Sequence, residues 1–200
     1  MRFFEVAKTH SIAVPVICRD FDGDGGDAEC EFRAVAVGYD LSIFKINVPT
    51  NITLMMKLGA GIGGGTISAD YGMGDKVEKS DNLDFITYGR IGAGFALTLG
   101  NWLLIPTAGV GLSLEGLGDF EDEDEDEDSD EKEYVGYDAT VDAFVNLTAI
   151  LMFNNRIGLS FSFEVSTNLC GAGSFTELET YSINFGQLSF TPAIGICCRR

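Results

Sequence analysis

Apolar residues occupy every second position of the chain from Val135 to Phe153. The positions between them are polar or small through the middle of the segment. Because the side chains of a β-strand alternate between its two faces, this pattern predicts one long strand with an apolar face and a polar face. A strand in a soluble protein is about 5 to 6 residues long, whereas a strand that crosses a bilayer needs about 9 to 11. The length of this strand therefore favours a membrane.

The same alternation recurs along the rest of the chain and predicts eight strands in all. They lie within residues 4–18, 34–43, 52–63, 85–99, 102–115, 135–153, 157–166 and about 178–197. The start of the first strand is ambiguous, because Lys8 and His10 fall on its apolar phase. The apolar phase of the eighth strand switches near Gln187, which predicts a β-bulge. The uncharged run Ile91 to Leu114 is long enough for a transmembrane helix, but its glycines and Pro106 favour two strands joined at Gly100-Asn101.

The connections between the predicted strands are alternately long and short. The long loops lie at about 19–30, 68–82, 117–133 and 168–176. In an antiparallel up-and-down barrel, this order puts the long loops at one end and the short turns with both termini at the other. We therefore predict an all-β fold, a single domain over residues 1–200 that forms an eight-stranded antiparallel barrel.

Charged residues indicate which face of the strands meets lipid. Of the 31 acidic residues, 25 fall in or beside the long loops, and the other six lie on the polar phase of their strands. A charge that faces hydrocarbon near the bilayer centre costs about 2–4 kcal/mol, so the apolar phase is predicted to face lipid. The alternative is a soluble, lipocalin-like ligand-binding barrel with the apolar phase inside.

A membrane barrel would enclose the charges on the polar phase, which we predict to form a network in the lumen. Its members are Asp40, Lys57, Arg90, Glu115, Asp138, Asp142 and Glu164. Isolated buried charges are costly, so the two cations are expected to pair with some of these carboxylates. Eight strands leave an interior just wide enough for side chains, which favours a plugged structural core. A narrow cation-preferring pore for small solutes is the alternative.

Composition excludes several classes of function. A formal net charge of −18 leaves no basic surface for nucleic acid. No Cys or His cluster has zinc spacing, and the single His10 lies next to Ser11, on the opposite face of a strand. We therefore expect neither an enzyme nor a resident cofactor. Cys18 and Cys30 flank the first loop, as a disulfide or as free thiols.

The acidic loops offer candidate cation sites. Asp20, Asp22, Asp24 and Glu31 match the D-x-D-x-D-G-x5-E calcium pattern, although strands rather than helices flank it. The alternative is a solvated acidic turn. The tract from Glu121 to Glu133 holds eleven acidic residues and one Lys. It is either a solvated loop or a binder of divalent cations or of a basic extracellular partner.

Strand number, alternation and loop pattern together give the chain a resemblance to the small eight-stranded outer-membrane barrels of the OmpX, OmpW and OmpA-barrel kind, including spirochaetal ones. The resemblance covers nearly the whole chain. It implies a monomer in the lipid of a Gram-negative-type outer membrane, with the long loops outside the cell. The expected function is then non-enzymatic: a structural, surface-interaction or cation-binding barrel that displays acidic loops.

Overall fold

The computed structural model describes residues 4–22, 29–70, 76–81, 83–121, 133–175, 178–182 and 186–200. Side chains are described within 4–18, 33–65, 85–116, 137–173 and 186–200. The described residues form twelve β-strand segments. These are β1 Phe4–Ala13, β2 Val16–Asp22, β3 Glu29–Asn47, β4 Ile52–Asp70, β5 Lys76–Asp81, β6 Leu83–Phe95, β7 Leu97–Leu99, β8 Trp102–Glu121, β9 Glu133–Met152, β10 Ile157–Phe175, β11 Leu178–Ser182 and β12 Leu188–Arg199.

These twelve segments build the eight long strands of a closed antiparallel barrel, which confirms the predicted fold class. We call each of these long strands a stave, since some of them consist of two or three segments. β1 and β2 form one stave, β5 to β7 another, and β11 with β12 the last. The first stave closes the barrel because β1 pairs with both of its neighbours: His10 lies opposite Ile196 of β12 and opposite Leu41 of β3. All the ladders are antiparallel, as hairpin connections require.

Proline interrupts the first stave between β1 and β2. Pro15 has no N–H and cannot donate to either neighbour. Its carbonyl still accepts a hydrogen bond from Ala36 N, and Val14 N donates to Pro192 O. The stave therefore keeps its course, and inward and outward positions alternate without a change of phase from Ala7 to Ile17.

Pro106 produces an irregularity on the neighbouring stave. β8 runs through Pro106 unbroken, but β6 and β7 are separated at Ala96, close to where Pro106 lacks a donor. The register is the same on both sides, with Gly94 opposite Thr107 and Leu97 opposite Leu104. The proline thus removes hydrogen bonds without creating a bulge.

The last stave is interrupted at Gly186 and Gln187, immediately before β12 and at the predicted phase switch. Gly186 has a φ of +92°. Asn168 of β10 forms hydrogen bonds with both residues of this interruption. The Asn168 side chain accepts from Gln187 N at 2.8 Å, and its carbonyl accepts from Gly186 N at 3.1 Å. β10 itself shifts register between Asn168 and Cys170.

Tight turns join the staves at one end of the barrel, which we call the turn end. Gly100 has a φ of +61° and joins β7 to β8, so the run Ile91 to Leu114 is a hairpin. The Asn154 side chain accepts from the backbone N–H groups of Arg156 and Ile157 at 2.8 and 2.9 Å, in an Asx turn between β9 and β10. No helix among the described residues is long and apolar enough to cross a membrane.

At the opposite end, the loop end, the strands extend into the ranges that the sequence pattern predicts as loops. β2 reaches Asp22 and β3 begins at Glu29, while β8 reaches Glu121 and β9 begins at Glu133. Backbone pairing between two hairpin arms needs no apolar alternation once the arms leave the bilayer. The pattern therefore underestimates strand length at this end.

The outer wall of the barrel is apolar. Exposed side chains include Ile91 at 63%, Leu112 at 62% and Val145 at 59% of their full accessibility. Lys8 and His10 also face outward, which places the start of β1 in phase with the rest of its stave. A soluble ligand-binding barrel needs the apolar phase inside, so the soluble alternative does not match this arrangement.

Candidate functional site: a charge network across the lumen

All seven charged residues expected in the lumen lie on the inner face of the barrel and are nearly inaccessible. They project from six different staves, so closure brings together positions that are far apart in sequence. Their accessibilities are Asp40 2%, Lys57 2%, Arg90 5%, Glu115 2%, Asp138 2%, Asp142 4% and Glu164 1%.

Lys57 on β4 connects a neighbouring stave with one across the lumen. Its Nζ lies 3.0 Å from Asp40 Oδ2 on the adjacent β3. The same Nζ lies 3.1 Å from Glu164 Oε2 on β10, which is not a ladder partner of β4. One ammonium group therefore links a carboxylate on the adjacent strand with a carboxylate on the opposite wall.

Arg90 on β6 makes the largest set of contacts. Its guanidinium lies 3.2 Å from Glu164 Oε1 through Nε and 2.9 Å from Asp142 Oδ2 through Nη2. Nη2 also donates to Ser113 Oγ at 3.0 Å, and Nη1 donates to the carbonyl of Leu112 at 3.1 Å. Ser113 in turn donates to Asp142 at 2.6 Å. Because Glu164 contacts both Lys57 and Arg90, the two cations belong to one network.

The ladder register explains why so many carboxylates are needed here. Lys57 and Arg90 are direct partners in the β4–β6 ladder, both on the inner face. Like charges opposite each other in a sheet are destabilising. The carboxylates of Asp40, Asp142 and Glu164 surround the pair and offset this repulsion.

Tyr88 belongs to the network, although the sequence analysis did not single it out. Its hydroxyl donates to Asp40 Oδ1. Its ring faces both cations, with the centroid 5.4 Å from Lys57 Nζ and 5.2 Å from Arg90 Cζ, within cation–π range. The signal was present in the sequence, since Tyr88 lies two residues before Arg90 on the same phase.

Two glycines on the inner wall make room for these side chains. A Cβ at Gly111 would collide with Arg90, and a Cβ at Gly59 would collide with the Tyr88 ring and Asp40. These two glycines are thus part of the site, because they leave space for the larger side chains of their ladder partners on the adjacent strands.

Glu115 and Asp138 lie closer to the loop end than Asp142. They are direct partners in the β8–β9 ladder, and both take part in further interactions. With them, the predicted set holds five carboxylates against two cations. The lumen is therefore acidic overall at this level.

The lumen becomes less polar towards the turn end. Below the charges, the Asn146 side chain donates to Thr148 at 3.0 Å and to Thr107 at 3.4 Å. Below that lies an apolar cluster that includes Phe44 and Ile150, both fully inaccessible. Its members are Ala7, Phe44, Ile46, Met55, Ala96, Leu103, Ile105, Phe144, Ile150 and Cys197.

The predicted calcium residues lie on the first hairpin near the loop end. The backbone ladder pairs Asp20 with Glu31, and Asp22 belongs to β2; Asp24 lies outside the described residues. Most of the tract Glu121 to Glu133 also lies outside them. Within the part of the chain whose side chains are described, no group of three or more His, Cys, Asp or Glu could hold a metal ion.

The only sequence candidates for catalysis point to opposite sides of the wall. His10 faces outward, where its Nδ1 and the Tyr39 hydroxyl form a hydrogen bond, whereas Ser11 is buried on the inner face. Cys18 is a free thiol. The β2–β3 ladder pairs Cys18 with Arg33 and Cys30 with Phe21, so the two cysteines are not opposite each other.

Comparison with known proteins places the fold among outer-membrane barrels. No protein-family model matches the chain, and no curated protein matches it. The solved structure of OprG from Pseudomonas aeruginosa is similar over 98% of this chain and 95% of its own, with a TM-score of 0.63 and 10% identity. A major outer membrane protein of Thermus thermophilus is similar over 96% and 99%, with a TM-score of 0.60 and 10% identity. The protease OmpT from Escherichia coli is similar over 98% and 96%, with a TM-score of 0.55 and 9% identity.

Proposed function

We propose that this chain is a non-enzymatic outer-membrane barrel whose lumen is closed and whose function lies in the acidic loops that it displays outside the cell. An apolar outer wall and the likeness of its fold to outer-membrane barrels support the location. The observation that carries the proposal is the filling of the lumen: a buried charge network lies above a buried apolar cluster. Such a core anchors a display scaffold, and its apolar cluster opposes the passage of hydrated ions.

The non-enzymatic part of the proposal is supported by the engagement of the polar groups. His10 and Ser11 lie on opposite faces, and the carboxylates of Asp40, Asp142 and Glu164 are committed to Lys57 and Arg90. A general acid or nucleophile has to lie within hydrogen-bond reach of its substrate, and each of these three carboxylates is buried in an ion pair. OmpT is a protease, but a likeness at 9% identity concerns the fold alone.

Planar bilayer recordings test whether the lumen is closed. Wild type and R90A are each refolded in detergent, shown to be folded by heat-modifiable mobility on SDS gels, and reconstituted. We expect no conductance steps in wild type, because the apolar cluster excludes hydrated ions below the network. The control is R199A, which removes one partner of a partly exposed ion pair with Glu5 at the turn end and leaves the charge network around Arg90 unchanged.

A narrow cation-preferring pore is the second candidate, and the excess of lumen acids favours it. Cation-selective steps in wild type that change in amplitude in R90A but not in R199A would replace the closed-lumen proposal with this one. Absence of steps in all three proteins would remove the pore.

The proposed role of the loops is to bind divalent cations or a basic partner. Its support is the tract of eleven acids between residues 121 and 133 and the D-x-D-x-D-G-x5-E pattern at Asp20. Calcium titration calorimetry on the refolded barrel separates the two sites. We compare wild type with a variant whose tract acids are changed to Asn and Gln and with D20N/D22N. Equal, negligible heats in all three would refute cation binding.

A further inference from the structure

Three cationic side chains lie together on the outer wall at the turn end of the barrel. Val6 of β1 is the direct ladder partner of Lys45 on β3. On its other side, Val6 exchanges both backbone hydrogen bonds with Arg200, at 3.0 and 2.9 Å. Lys8 lies two residues along β1 on the same outer face, diagonal to both. We call Lys8, Lys45 and Arg200 the cation triad; all three are exposed.

The acid nearest in sequence does not neutralise the triad. Glu5 lies on the inner phase of β1, where it accepts a hydrogen bond from Arg199 Nε at 2.9 Å. Arg156, in the adjacent turn, adds another exposed cation, and its carbonyl accepts from Arg199 N. Among the described residues of this part of the outer wall, no acid is exposed. A terminal carboxylate at residue 200 would offset one charge and would leave the region positive.

Three cations at this spacing repel one another, and an anion bound between them offsets that repulsion. Diagonal partners in a sheet are about 7–8 Å apart, a distance that long side chains can span around a single phosphate. Lys45 Nζ lies 4.7 Å from the ring centroid of Phe4, nearer the end of the barrel, so its ammonium group extends away from the bilayer centre. Charged side chains at a membrane edge reach for the interface in this way.

The apolar wall above the triad identifies the kind of anion. Ile12 and Ile196, exposed at 61% and 56%, continue the same outer face of β1 and β12 towards the bilayer centre. A ligand on this face would present a phosphate to the triad and acyl chains to the isoleucines. We propose that the cation triad binds the head group of an anionic glycerophospholipid in the leaflet at the turn end.

The barrel provides its own control site. Trp102, the only tryptophan, begins β8, which lies on the wall opposite β1 and starts at the same end. It is 40% exposed, and the described residues around the turn at Gly100-Asn101 include no cation. Trp102 therefore samples the same leaflet without the triad.

Quenching by brominated lipids measures the selectivity at each wall. V6W/W102F places the reporter at the centre of the triad, and wild type reports at residue 102. Each refolded protein is inserted into phosphatidylcholine vesicles that contain brominated phosphatidylglycerol or, separately, brominated phosphatidylcholine. The ratio of the two quenching curves gives the relative affinity for the anionic lipid.

We expect the residue 6 reporter to prefer phosphatidylglycerol, by about fivefold for each cation that contacts the head group, and the residue 102 reporter to show no preference. Adding K8Q/K45Q/R200Q to V6W/W102F should remove the preference, whereas K8R/K45R should retain it. If the triple change prevents folding, K8Q and K45Q are measured separately, and each should lower the preference.

Equal lipid preference at residues 6 and 102 would overturn the inference, as would a preference that survives neutralisation. Displacement of the preference by millimolar inorganic phosphate would reassign the triad to a free anion and also overturn it. The inference rests on insertion into a membrane, not on the role of the loops. Loss of quenching at both reporters would signal failed insertion, whereas failure of the triad alone leaves quenching without selectivity.

Discussion

Replacing Arg90 by Met tests whether the lumen network holds the barrel together. Arg90 is 5% exposed and contacts two carboxylates, a hydroxyl and a backbone carbonyl. Met keeps much of the volume but leaves Asp142 with Ser113, and Glu164 with Lys57, as the remaining partners among the described side chains. Removing one partner of a buried ion pair costs about 3–5 kcal/mol, because the remaining charge stays buried without compensation.

The matched control is R199M at the turn end. The Arg199–Glu5 pair has a similar chemistry, but its side chains are 27% and 29% exposed. A solvent-screened pair contributes about 0–1 kcal/mol, so R199M should stay close to wild type. Both substitutions remove one guanidinium, so a difference between their losses of stability reports the effect of burial and not the loss of a charge.

Urea unfolding of the refolded barrel in detergent micelles, followed by Trp102 fluorescence, gives the free energy of unfolding. A double-mutant cycle with D142N then isolates the pair. R90M/D142N should recover at least about 1 kcal/mol relative to the sum of the single losses, because Asn no longer leaves a buried charge. The reasoning is refuted if R90M costs no more than R199M, or if the two losses simply add.

Three further substitutions test other parts of the architecture by urea unfolding, in detergent micelles for the two inner-face variants and in lipid vesicles for V145R. G59A should cost about 1–3 kcal/mol because its Cβ would collide with the Tyr88 ring and Asp40, whereas G64A, which meets nothing within 4 Å, should stay within about 0.5 kcal/mol; equal effects would contradict the fit of the network. V145R on the outer face should cost about 2–4 kcal/mol in lipid, with V145L as the control, and a harmless Arg would contradict a lipid-facing wall. F44A should cost about 3–5 kcal/mol by opening a cavity in the apolar cluster, and a loss below about 1 kcal/mol would show that this end is not packed.

Register explains why the partners within the site could not be predicted. The alternation places Lys57 and Arg90 on the inner phase, but it does not say that they are direct ladder partners. It also does not say that Glu164 contacts both, since β10 is separated from β4 by three staves on either side of the ring. The role of Tyr88 could not be predicted for the same reason. An aromatic residue on the inner phase joins the network only because the fold places Asp40, Lys57 and Arg90 around it.

The cation triad depends even more strongly on closure. Lys45 and Arg200 are separated by 155 positions, and only the pairing of β1 with both β3 and the last stave puts them on either side of Val6. In the sequence pattern, Lys8 is a charged residue on the apolar phase at the start of the first strand. In the closed barrel it occupies the edge of the apolar band, where a long charged side chain can reach the interface.

The sequence alone determined the strand number, the inward and outward faces and the positions of the tight turns, because each follows from local chemistry: a period of two, the cost of charge in hydrocarbon, and turn-forming residues. The tertiary structure decided the register, the ion pairs across the lumen, the layering from charges to an apolar cluster, and the meeting of the two chain ends. These features depend on the register offset between neighbouring strands. Closure of the barrel fixes the sum of these offsets around the whole ring, so no single segment of the sequence specifies it.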